Sequence, residues 1–113
     1  MRSRLLRIAE EEWRAKARAA NYHVGALAKQ CRVSVRTLER QIKEQRDKSP
    51  HAWLHELRMI EARVLLLDDN SVKETAGMLG YKDTSQFSKD FKQYYSALPS
   101  RMGKKLKAEM LKR

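Results

Sequence analysis

Helix-breaking residues are scarce in this sequence. Two prolines and four glycines in 113 residues leave little material for strands and hairpins. Ala, Leu, Glu, Lys, Arg and Gln, all good helix formers, fill much of the chain, and an all-α fold is predicted. The single cysteine, Cys31, cannot form an internal disulfide, which fits a reducing compartment. No apolar run approaches the ~20 residues of a membrane span, and the Arg-rich start lacks a secretory core. Asn21-Tyr22-His23 is not a glycosylation sequon. These absences predict a cytoplasmic protein. Catalytic signatures are missing as well: there is no phosphate loop, nucleophile elbow or paired-carboxylate arrangement. His51 and His55 stand at i, i+4, a spacing that can bind zinc. However, HAWLH lacks the glutamate of a metalloprotease motif and has no evident third ligand, so a structural or solvated pair is favoured. His23 lies at a helix start, where capping or packing is the better reading. No enzyme, metal or cofactor is expected.

What the sequence has in excess is positive charge, +11 at pH 7. Residues 1–20 carry six basic and three acidic side chains, residues 21–100 thirteen and ten, and residues 101–113 six and one. The excess sits at the two ends. It favours a polyanion as partner, whether nucleic acid or an acidic membrane surface, and by itself does not choose between them.

Residues 3–20 read as a helix, with Leu5, Ala9, Trp13 and Ala17 repeating every four residues. Its apolar face is narrow and alanine-rich, which suits packing on the domain better than lying on a membrane. Val24 to Gln30 is predicted as a short helix with Val24, Leu27 and Ala28 inward, followed by a turn at Cys31-Arg32-Val33. Ser34 caps the next helix, which buries Val35, Leu38 and Ile42 and exposes Arg36, Glu39, Arg40 and Lys43. Ser49-Pro50 is a strong helix start. The helix it opens runs to Leu67, about 27 Å at 1.5 Å per residue, with Trp53, Leu54, Leu57, Ile60, Val64 and Leu67 on one face. Asp68-Asp69-Asn70 is predicted as a loop, since acids oppose the dipole at a helix end.

Ser71-Val72-Lys73-Glu74 is a capping box, and the helix it opens stops at Gly80. Asp83 caps another helix, with Phe87, Phe91 and Tyr94 on one face and Ser85, Ser88, Lys89 and Lys92 on the other. After the break at Ser96-Ala97-Leu98-Pro99, Ser100 is placed to cap a last helix carrying Met102, Leu106 and Met110 among lysines. A solvated tail is favoured for it.

Two short helices around a tight turn, the second apolar inside and polar-basic outside, make a helix-turn-helix, and the chain contains two. Ala28 corresponds to Ala76, Leu38 to Phe87, Arg40 to Lys89, Ile42 to Phe91 and Lys43 to Lys92, at an offset of 48 residues before the turn and 49 after it. Arg32 stands where the second copy has Gly80. The predicted organisation is an N-terminal helix over 1–20, a first unit over 21–48, a linker helix over 49–69, and a second unit with a basic tail over 70–113.

The sequence resembles the DNA-binding domain of the AraC/XylS transcriptional regulators over about residues 22–102. The resemblance is carried by Leu27-Ala28, Ser34, Leu38-x-Arg40 and Ser49-Pro50-x-x-Trp53-Leu54-x-x-x-Arg58-Met59-x-x-Ala62-x-x-Leu65-Leu66. Its most specific part runs from Ser71-Val72-x-Glu74-x-Ala76 through Gly80-Tyr81-x-Asp83-x-Ser85-x-Phe87-Ser88-Lys89-x-Phe91-Lys92 to Pro99. It implies seven helices, with two helix-turn-helix units joined by a long helix. Helices at about 35–45 and 84–94 would enter successive major grooves, roughly 34 Å apart. Asp47 and Ser96 replace glycines usual in the family, Thr75 an isoleucine, Leu98 a serine, and Met102-Gly103 the closing Tyr-Arg.

Side-chain chemistry then assigns contacts. Arg36 and Arg40 can pair with guanine and Glu39 with a cytosine amine, and matching positions read bases in the family. In the second unit Thr84, Ser85, Gln86, Ser88 and Lys89 face the groove, with Gln86 suited to adenine and Lys89 to guanine. The family pattern favours arginine at Lys89, and lysine lacks its bidentate fork. Ser34, Lys43, Arg58 and Lys92 are candidates for phosphate contacts. The expected function is a sequence-specific regulator that binds double-stranded DNA as a monomer on an asymmetric site, since two units in one chain remove the need for a palindrome. Contact with RNA polymerase and a bacterial, nucleoid-associated location are implied by the family alone. The chain would be either a stand-alone regulator or a piece of a longer protein with a sensor domain. The alternative is a non-specific nucleoid binder using the charged ends, with a steep salt dependence. A DNA-repair methyl acceptor is a further variant, for which Cys31 is poorly placed at a helix end.

Overall fold

The computed structural model describes residues 10–101. Six α-helices lie among them: α1 (Glu10–Ala19), α2 (Val24–Gln30), α3 (Val35–Arg46), α4 (Pro50–Leu67), α5 (Val72–Met78) and α6 (Thr84–Tyr95). Residues 99–101 open a further helix. It starts at Pro99, one residue before the predicted cap Ser100, because proline's fixed φ and missing N–H suit a first helical position. Leu5, Ala9, Met102, Leu106 and Met110 lie outside the described residues. The chain divides into two compact units, Met1–Arg58 and Met59–Arg113.

Local sequence explains where the helices begin. Ser34 Oγ accepts from the Thr37 amide at 3.1 Å, Ser49 Oγ from the Ala52 amide at 3.1 Å, and Asp83 Oδ1 from the Ser85 amide at 2.8 Å. The capping box at α5 is complete: Ser71 Oγ accepts from the Glu74 amide at 3.0 Å, and Glu74 accepts from the Ser71 amide at 2.9 Å. Each of these bonds satisfies a donor that a helix start leaves orphaned.

The two helix-turn-helix turns share one geometry. After α5, Tyr81 N donates to the Ala76 carbonyl at 3.0 Å and Gly80 N to the Gly77 carbonyl at 3.1 Å. After α2, Val33 N donates to Ala28 and Arg32 N to Lys29, both at 3.1 Å. Both are Schellman closures around a left-handed residue. Gly80 has φ 82 and Arg32 φ 56, so arginine adopts the conformation that glycine takes without steric cost. Asp47 (φ 52) and Ser96 (φ 59) end α3 and α6 in the same left-handed region.

In the first unit, Trp13, Ala17, Leu27, Ala28, Leu38, Ile42, Trp53, Leu54 and Leu57 form one core. Trp13 meets Trp53 edge to face at 4.9 Å, and the Arg46 guanidinium caps the Trp53 ring at 4.6 Å while pairing with Glu10. In the second unit Met59, Ala62, Leu65, Leu66, Thr75, Ala76, Leu79, Phe87 and Phe91 are buried.

Four residues assigned inward are exposed. Val35 is 40% exposed, because a helical side chain leans over the turn before it and Val35, in first position, has none. Ile60 and Val64 are also exposed, at 37% and 40%. Over this half of α4 the second unit buries the Met59, Ala62, Leu65, Leu66 stripe, and one helix face cannot serve both sets. Tyr94 is 43% exposed; Tyr95 turns inward in its place. Its ring lies 4.6 Å from Phe91, and its hydroxyl donates to the Met59 carbonyl at 2.8 Å.

Candidate nucleic-acid interface

In the first unit α3 is the second helix of the motif. Leu38 and Ile42, buried at 0% and 3% exposure, fix its rotation. Arg36, Glu39, Arg40 and Lys43 are thereby left exposed on the opposite side. This is the i, i+3, i+4, i+7 stripe of an amphipathic helix, filled here with groups that can donate to or accept from base edges and phosphates. Val35, exposed beside Arg36, joins this surface and supplies an apolar group that can meet a thymine methyl. Periodicity alone places it inside. The hydroxyl of Ser34, the cap, accepts from the Thr37 amide at 3.1 Å and donates to the Thr37 hydroxyl at 3.0 Å. Lys43 pairs with Asp47 at 3.3 Å across open solvent, a weak tie that leaves the ammonium available. Arg58 is half-buried and stacks over the Tyr22 ring at 5.3 Å.

In the second unit the same construction holds α6. Phe87 and Phe91 are fully buried and in ring contact at 5.8 Å, and Tyr81 packs on Phe87 at 5.3 Å. Ser85, Gln86, Lys89 and Lys92 are exposed, while Thr84 and Ser88 are half-buried. Asp90, to which the sequence reading gives no role, accepts from Gln86 Nε2 at 3.0 Å and from the Tyr81 hydroxyl at 2.8 Å. Its position four residues after Gln86 is the signal that could have marked it. A concave surface beside α6 is lined by Gln86, Lys89, Asp90, Lys92, Gln93 and Ser96.

Glu74 and Cys31 titrate away from their ordinary values, and both lie in the scaffold. The Glu74 carboxyl is lowered by the hydrogen bond from the Ser71 backbone and then by the Ser71 side chain. Burial pushes the Cys31 thiol up, with Lys16 opposing, so the thiolate needed of a methyl acceptor is disfavoured. Among the described residues no group of His, Cys, Asp and Glu could hold a metal ion, and no helix is long and apolar enough to cross a membrane.

Comparison with known proteins identifies this arrangement. Residues 27–105 match a helix-turn-helix domain of the AraC type. The chain belongs to the AraC/XylS family. Among AraC/XylS proteins it is similar to the HTH-type transcriptional activator RhaS of Pectobacterium atrosepticum, 37% identical over 76 residues. RhaS of Salmonella arizonae is 40% identical over 75 residues. Each alignment spans 66% of this chain and 27% of the relative, so the chain accounts for about a quarter of those proteins' length. The DNA-binding domain of AdpA, a global transcriptional factor solved in complex with a target DNA, has the same AraC/XylS fold. Its TM-score is 0.69 at 26% identity, covering 84% of this chain and 89% of that one. The xylose-binding transcription activator xylR gives a TM-score of 0.71 at 23% identity over 86% of this chain and 27% of that one, which shows the fold alone.

Proposed function

We propose that this chain is the part of a transcriptional regulator that reads double-stranded DNA by sequence, with α3 and α6 lying in successive major grooves. The reading rests on one observation above all. Each unit holds a capped helix in the second place of a helix-turn-helix and turns its basic and amide side chains outward. Arg36, Glu39 and Arg40 read bases in the first half-site, and Thr84, Ser85, Gln86, Ser88 and Lys89 in the second. Ser34, Lys43, Arg58 and Lys92 hold phosphates. The two units differ in sequence, so the site is asymmetric and one chain fills it. The AdpA domain's complex with a target DNA and the naming of RhaS as a transcriptional activator support this use of the fold. Contact with RNA polymerase in a bacterial cytoplasm, near the nucleoid, completes the proposal.

Selection of bound DNA from a random pool at physiological salt tests it, with Arg40→Ala and Lys89→Ala alongside. An asymmetric motif spanning two major grooves is expected, blurred by each variant in its own half at a cost of ~1–3 kcal/mol. Absence of enrichment, with affinity that survives both substitutions and collapses in salt, would overturn it.

A further inference from the structure

We propose that Asp90 sets the base preference of the second unit by fixing the direction of the Gln86 amide; the proposal rests on the reading of α6 as a base-contacting helix. The two carboxylate oxygens of Asp90 hold different partners. Oδ1 accepts from Gln86 Nε2 at 3.0 Å, and Oδ2 accepts from the Tyr81 hydroxyl at 2.8 Å. Tyr81 is itself fixed, with its amide on the Ala76 carbonyl at 3.0 Å and its ring against Phe87 at 5.3 Å. The half-buried carboxylate is thus tied to the turn between α5 and α6, while Gln86 stands exposed one helical turn before it.

The chemistry of this bridge is directional. An ionised carboxylate accepts and does not donate, so it holds the amide nitrogen of Gln86 and not its oxygen. One amide N–H is committed to Asp90. The acceptor Oε1 and the second N–H are left, and side by side they complement the N6 amine and N7 of adenine. An untethered glutamine could instead turn both N–H groups toward guanine O6 and N7, or one toward thymine O4. It would also lose more rotamer freedom on binding. Asp90 is therefore a positioning residue, acting on the base through Gln86. Its negative charge lies on a DNA-facing helix, where it opposes phosphate binding. Discrimination and overall affinity should consequently move in opposite directions when that charge is removed.

The test is selection from a random pool with the wild-type chain, Gln86→Ala, Asp90→Asn and Tyr81→Phe, together with affinities for a random duplex and thermal midpoints by circular dichroism. Wild type should enrich adenine at one position of the second half-site, and Gln86→Ala should abolish that preference. Asp90→Asn should admit guanine and thymine there, with adenine discrimination falling roughly tenfold, the scale of one bidentate base contact. Its random-duplex affinity should equal or exceed wild type, and its thermal midpoint should match. Tyr81→Phe should broaden the same position to a smaller degree. An unchanged Asp90→Asn profile at a position that Gln86→Ala does blur would sink this inference alone. If Gln86→Ala blurs nothing, or the blurred position prefers a base other than adenine, the base-reading role given to Gln86 fails and this inference with it. Loss of the whole motif in Asp90→Asn, with a lowered thermal midpoint, would mark a purely structural role and overturn the proposal.

Discussion

Thr75 is fully buried, and its hydroxyl has no hydrogen-bond partner among the described residues. A buried hydroxyl left unpaired costs about 1–3 kcal/mol, and the family usually places isoleucine at this position. Thr75→Val keeps the shape and removes the orphaned group. It should raise the stability of the second unit by about 1 kcal/mol in urea denaturation, with no change in the DNA motif selected. Arg32 presents the opposite case, a backbone cost in place of a side-chain one. Its φ of 56 puts a Cβ where glycine sits freely in the second copy, at a cost of roughly 1 kcal/mol or more. Arg32→Gly should stabilise the first unit by less than ~1 kcal/mol, because the added freedom of the unfolded chain offsets part of the relief. A loss of stability in this variant would show that the Arg32 side chain contributes more than its backbone costs.

Among the elements, α5 shows how a cap couples a helix to pH. Seven residues are too few to hold a helix by propensity, so the reciprocal bonds of Ser71 and Glu74 matter. Glu74 titrates below its usual range in the folded chain because the ionised carboxylate accepts from the Ser71 amide. A folded-state value depressed below the unfolded one contributes stability above the unfolded value, and that contribution is lost as pH falls through the folded value. Glu74→Gln keeps an acceptor but not the charge. It should therefore be less stable than wild type at neutral pH, with the difference closing in acid as Glu74 protonates. Thermal midpoints of both proteins across this range check it, and a gap that persists in acid would refute the assignment. The long helix α4 is governed by packing instead. It carries apolar residues on more than one face, and each unit takes the stripe its own core requires, leaving Ile60 and Val64 in solvent.

For the whole molecule, the charge is concentrated at the ends while the outward stripe of α3 is mixed in sign. Residues 101–113 carry six basic side chains and one acidic. Removing residues 104–113 should weaken binding to every duplex by a similar factor and flatten the salt dependence, because a phosphate that no longer meets a lysine or arginine keeps its counterion. The selected motif should stay the same, since phosphate contacts position and base contacts specify. Affinities measured over a series of salt concentrations on specific and random duplexes decide this. Loss of the motif on truncation would mean that the tail takes part in sequence readout.

Much of this is legible in the sequence. The caps at Ser34, Ser49, Ser71 and Asp83, the left-handed end at Gly80, the extents of α2 and α4, and the outward stripes of α3 and α6 depend on residues within one or two turns of each other. Such interactions are written locally, and the 48-residue repeat writes them twice. Periodicity could not choose between Tyr94 and Tyr95, because both continue the Phe87, Phe91 spacing. Only the Met59 carbonyl, 36 residues away in sequence, selects Tyr95. The same holds for the unpaired Thr75 hydroxyl and for Asp90 held between Tyr81 and Gln86. The sequence by itself determined where α2 to α6 lie along the chain and which faces of α3 and α6 are charged. Tertiary packing decided which apolar residue of a near-equivalent pair is buried and where each buried polar group finds its partner, because those choices depend on what the rest of the chain brings alongside.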